Sequence, residues 1–62
     1  MKKIEIHGVE YTEIINIERT LNSELSIIYY VYGYRMDWAE NLIVDYELIS
    51  DLSEIHITKE NE

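Results

Sequence analysis

Two histidines, four serines, thirteen carboxylates and six tyrosines are the side chains in this 62-residue chain with chemistry to offer. His7 and His56 lie 49 positions apart, each on the polar side of a strand-like stretch. Paired terminal strands could bring them together and, with a glutamate, make a zinc site. Imidazoles on polar faces are ordinarily solvated, and that reading is adopted for both. Ser23, Ser26, Ser50 and Ser53 fall in turns or on a strand, with no nucleophile elbow and no adjacent histidine to activate them. Turn formation and capping account for all four. Thirteen acids produce close pairs by chance, so a glycosidase-like pair is not distinguished. Asp51 and Glu54 lack the alternating oxygens and the glycine of a calcium loop. Gly8 and Gly33 are the only glycines, too few for a phosphate-cradling loop, and there is no cysteine to act as nucleophile or thiolate ligand. The expectation is a binding protein rather than an enzyme, with no cofactor and no metal.

The charge indicates the kind of partner. The formal net charge is −8. Residues 1–35 carry five acids against four bases, whereas residues 36–62 carry eight acids against Lys59 alone. Binding nucleic acid through its phosphates requires a basic surface, which this composition lacks, and anionic membranes would repel it. A basic protein surface is the natural complement. The longest apolar run, Ile27 to Tyr32, is far short of the roughly 20 residues that span a bilayer. Glu5 and His7 interrupt the stretch a secretory signal would need, so a cytoplasmic setting is expected.

Sixty-two residues make a single domain, 1–62, with 59–62 reading as a frayed tail. Such a chain buries only about 60% of its unfolded surface, which makes a partner or a second copy a natural source of stability. Ile4 and Ile6 alternate with polar neighbours, and His7-Gly8 suits a two-residue turn, giving strands near 2–7 and 9–19. A helix over Tyr11–Leu25 would put Glu18 in the middle of its apolar side, so strand is preferred. Leu21–Glu24 is a turn. Residues 25–34 are the strongest strand, β-branched and aromatic, with Gly33 marking a bulge or a close backbone approach.

Asp37-Trp38-Ala39-Glu40 has the form of a helix capping box, and Trp38, Ala39, Leu42, Ile43, Tyr46 and Ile49 share one side of a 3.6-residue wheel. The competing pattern is a strand over 42–48, with Leu42, Val44, Tyr46 and Leu48 alternating. The cap favours a helix over 37–50. Ile55 and Ile57 form a short closing strand. The expected fold is α+β, one helix packed on a small antiparallel sheet in the order β-β-β-α-β, with an all-β five-strand meander as the alternative.

Two binding surfaces follow. On a helix, Glu40, Glu47 and Asp51 would lie within about 40° of one another, opposite the apolar side. Asp37 would flank this ridge and Asp45 would share its polar side. Such spacing imitates a phosphate backbone. In size and charge, the chain resembles the small acidic DNA-mimic proteins with which phages block host DNA-binding proteins. That resemblance implies an inhibitor of a basic nucleic-acid-binding protein, for example a histone-like nucleoid protein. The second surface is one face of the central strand, Ile28, Tyr30, Tyr32 and Tyr34. Tyrosine combines large contact area with a polar tip and is enriched at interfaces. One helix cannot cover both sheet faces, so these residues are expected to form a homodimer contact or, alternatively, the docking face of a structural or assembly subunit.

Overall fold

A computed structural model describes residues 2–59, except the side chain of Lys2. Of the expected tail, 60–62 lie outside the described residues and Lys59 belongs to a strand.

Alternation in the first eleven residues folds into a tight hairpin. Strands β1 (Lys2–Ile6) and β2 (Val9–Tyr11) are joined by His7-Gly8, whose φ angles of 51° and 80° are both positive. Two left-handed residues match the twist of the strands they connect. At Thr12 the chain leaves this sheet for the next. The Thr12 N–H and hydroxyl both donate to the Tyr34 carbonyl, at 2.8 and 3.1 Å.

Strands β3 (Glu13–Leu21), β4 (Ile27–Met36) and β5 (Leu42–Ile49) then run as an antiparallel meander. The last strand, β6 (Ile55–Lys59), returns to pair with β1. Two three-stranded sheets result, ordered β2-β1-β6 and β3-β4-β5. Ile4, Ile6 and Tyr11 of the smaller sheet pack on Val31 and Ile49 of the larger, with Val9, Ile14, Tyr29 and Ile55 around them. Gly33 makes this close packing possible. A Cβ there would lie 2.6 Å from the Glu13 carbonyl oxygen and 2.8 Å from Cδ2 of Tyr11, and β3 shifts register between Ile14 and Asn16 alongside it.

The expected α+β fold is not formed. There is no α-helix among the described residues, and the strands form two sheets rather than a five-strand meander. Asp37 is an acceptor, as its place in the sequence suggested, but it caps a hairpin loop. Its Oδ1 accepts from the N–H groups of Ala39 and Asn41, at 2.9 and 2.8 Å, and Glu40 is left-handed at φ 65°. Asn22 does the same for Glu24 and Ser26, at 2.9 and 3.0 Å, with Leu25 at φ 62°. Residues 22–26 and 37–41 are thus two copies of one five-residue loop. Beyond the second, the Leu42/Val44/Tyr46/Leu48 alternation governs, because β4 offers a paired edge along its whole length. The capping box occurs instead at Asp51 and Glu54, around the 3-10 turn Leu52–Glu54.

Candidate functional site

Along β4 and β5 the larger sheet has two faces of opposite character. The inner face, toward the smaller sheet, carries Val31, Gly33 and Ile49. It also carries charge. Arg35 Nε donates to Asp45 Oδ2 at 2.8 Å, which raises the guanidinium pKa and holds the Asp45 carboxyl below the usual range. The Tyr11 hydroxyl donates to Glu47 Oε2 at 3.4 Å, and burial of the phenol, reinforced by Glu47, pushes its pKa up to about 12.

His7, in the first hairpin turn, lies between two carboxylates. Its Nε2 is 2.7 Å from Glu54 Oε1 and its Nδ1 is 3.3 Å from Glu47 Oε1. Glu54 Oε2 accepts from the N–H and hydroxyl of Ser50 and from the N–H of Asp51. The bond that His7 makes to Glu54 raises the His7 pKa, and the same bond, with those donated by Ser50 and Asp51, pulls Glu54 down to about 2. A carboxylate stands at each ring nitrogen. The Ser50 hydroxyl meets Glu54 rather than His7. The cluster ties the β1–β2 turn to β5 and the 3-10 turn, and sets no base against a nucleophile. No group of three or more metal-ligating side chains is arranged to hold an ion among the described residues.

This geometry rearranges the acidic ridge. Residues 42–49 are extended, so the helical spacing that would align Glu40, Glu47 and Asp51 does not exist. Asp37 caps a loop, Asp45 pairs with Arg35, Glu47 holds Tyr11 and His7, and the Asp51 carboxylate accepts from Ser53 N at 2.9 Å. Glu40 is exposed in its loop, apart from these four. Most of the acidity of the second half therefore serves internal bonds.

The outer face is different. From β4 it presents Ile28, Tyr30, Tyr32, Tyr34 and Met36, the first four as one continuous row. From β5 it presents Leu42, Val44, Tyr46 and Leu48, set directly across from Met36, Tyr34, Tyr32 and Tyr30. None of these nine side chains carries a charge. Tyr30, Tyr32 and Tyr46 form a triangle with ring centroids 5.8 to 6.5 Å apart, Tyr30 and Tyr32 nearly parallel at 18°. That spacing is the favourable range for aromatic pairs, so the rings hold one another in place. Val44 is 59% exposed, Leu42 58% and Tyr46 50%, and none of the described elements packs over them. Past the Met36/Leu42 end, Trp38 stands at the loop tip, 96% exposed. Asn16, Glu18 and Thr20 of β3 border the face on its other side.

The β4 row thus appears where the tyrosine pattern put it, on one face. Sequence reasoning missed the β5 half of the surface, although the 42–48 alternation was the signal for it. His7 is exposed, as read from the sequence, but its two carboxylate partners lie 40 and 47 positions away and leave no local trace. His56 is exposed like His7 but lies across from Glu5 on the far side of the smaller sheet. Comparison with protein-family models, with curated proteins and with solved structures returned no match to this chain.

Proposed function

We propose that this protein is an interaction module that docks onto a protein partner through the outer face of the β3-β4-β5 sheet. One observation carries the reading: β5 turns Asp45 and Glu47 toward the other sheet and Leu42, Val44, Tyr46 and Leu48 toward solvent. A domain built to stay solitary does the reverse, because exposing apolar area costs about 25 cal/mol for each Å² that could have been buried. Contiguous apolar surface of this extent marks an interaction site in a soluble chain. Phosphate mimicry loses its support, since its ridge needed a helix and most of its carboxylates have internal partners.

Site-specific photocrosslinking in the producing cell tests the proposal. p-Benzoylphenylalanine in place of Tyr46 should give a discrete protein adduct, and the same group in place of His56 should give none. Equal labelling from both positions, or none from position 46, contradicts it.

A further inference from the structure

We infer that the occupant of this face is a second copy of the same chain, the two larger sheets packing face to face as a sandwich related by a two-fold axis. The inference rests on the docking role just proposed and names its partner.

Charge is the first argument. The nine side chains on the β4 and β5 half of the face are apolar or aromatic, so a basic partner attracted by the net charge would have to bury its cations against surface that cannot pair them. The complement such a face calls for is neutral and aromatic, and a second copy supplies it.

Placement of the border residues is the second. With strand order β3-β4-β5, a two-fold axis parallel to the strands and midway between β4 and β5 lays β4 of each copy over β5 of the other. Both β3 strands then fall at opposite outer margins, so Glu18 of one copy does not meet Glu18 of its partner. Tyr32 and Tyr46 are register partners, so each Tyr32 comes to the level of the other copy's Tyr46, and four tyrosines meet at the centre. Isologous contacts of this kind close after two subunits and expose no further copy of the face.

Area is the third. The most open side chains of the face are about half exposed and its β4 tyrosines partly so, which leaves on the order of 600 Å² per copy. Stable interfaces take roughly 800 Å² from each partner. Trp38, 96% exposed in the loop that joins β4 to β5, offers about 200 Å² more. The total suits a dimer held at micromolar concentration.

Both copies carry a charge of −8, kept off the contact, so their edges repel. Screening by salt should therefore tighten the dimer, whereas it would loosen a complex with a basic partner.

Sedimentation equilibrium on the purified full chain, from about 1 to about 100 µM at low and high salt, tests this. A species of twice the chain mass is expected, with a dissociation constant that falls as salt rises. Val44→Glu and Tyr46→Glu should each weaken it by at least about 100-fold with the strand circular dichroism retained. Val44 is the more open site and stands as the test if the Tyr46 variant unfolds. His56→Glu, which changes the net charge equally on the far sheet, should dimerise as wild type does. A monomer at every concentration and salt, or a Val44→Glu dimer as tight as wild type, overturns the inference. A monomer that still crosslinks from position 46 to a different protein removes the second copy and leaves the docking reading standing; a monomer with no such adduct removes both.

Discussion

Along β4 and β5 the two faces of the larger sheet obey opposite rules, whereas β3 puts half-exposed Ile17 and Leu21 on the inner face and Glu13 and Glu18 on the outer. On the inner face a few fully buried groups, Val31 and Ile49 with Tyr11 and Ile6 laid over them, are framed by ion pairs and hydrogen bonds. On the outer face of β4 and β5 the side chains are uncharged, and Met36, Leu42, Val44, Tyr46 and Leu48 are about half exposed. The contrast separates two tasks. The inner face holds the two sheets together, and the outer face is the one proposed for contact. Substitutions should divide along the same line when stability is measured by urea unfolding at concentrations where the chain is monomeric.

The largest losses are expected inside. Ile6→Ala removes a fully buried side chain at the junction of the sheets and should cost about 3 kcal/mol. Gly33→Ala forces a methyl against the Glu13 carbonyl and the Tyr11 ring and should cost about 2 kcal/mol. Val44→Ala, on the outer face, should stay within about 0.5 kcal/mol. If Val44→Ala costs as much as Ile6→Ala, the division between the faces is wrong.

A smaller effect sharpens the description of the inner face. Tyr11→Phe keeps the ring in the core and deletes only the bond to Glu47, so a loss of about 1 kcal/mol is expected. A loss as large as that of Ile6→Ala would make the polar frame, rather than apolar packing, the principal tie between the sheets.

The His7 clamp gives a pH signature. Glu54 is depressed from 4.5 to about 2, so its contribution is complete above about pH 4.5 and is lost as pH falls through about 2. His7 is raised above 6.5, so its contribution is complete below about pH 6.5 and is lost as pH rises through the raised value. Stability should therefore peak between these limits, in the mildly acidic range. His7→Gln should flatten the alkaline side of the curve. An unchanged profile in that variant would show that the clamp does not connect the sheets.

The smallest effect concerns the two loops. Leu25 and Glu40 are left-handed at equivalent positions, where a side chain costs about 1 kcal/mol that glycine avoids, offset in part by the entropy of a glycine in the unfolded chain. Leu25→Gly and Glu40→Gly should each raise stability by about 0.5 kcal/mol, and by similar amounts.

Parts of this arrangement are legible in the sequence because their causes are local. Gly8 follows the hairpin position of His7, the β4 tyrosines alternate, and Gly33 marks the close approach of Tyr11 and β3. The 37–50 segment misleads for an equally local reason. An acceptor at Asp37 followed by Glu40 serves a helix start or a five-residue hairpin loop, and the helical wheel accepts most of the same apolar residues that a strand would alternate. What decides between them is the free edge of β4, a tertiary fact. The acids mislead more deeply. Asp45 is ten residues from Arg35 and Glu47 is forty from His7, so nothing near them in the chain distinguishes a carboxylate bonded within the fold from one that waits for a cation.

Hydroxyl-radical footprinting of the tyrosines tests the docking role most directly, comparing the dilute purified chain with the chain inside the cell that makes it. Tyr46 on the outer face and Tyr29 on the inner face report the two sides of the same sheet. Tyr46, with Tyr30 and Tyr32, should lose reactivity in the cell while Tyr29 is unchanged. Tyr46 as reactive in the cell as in dilute solution would contradict it.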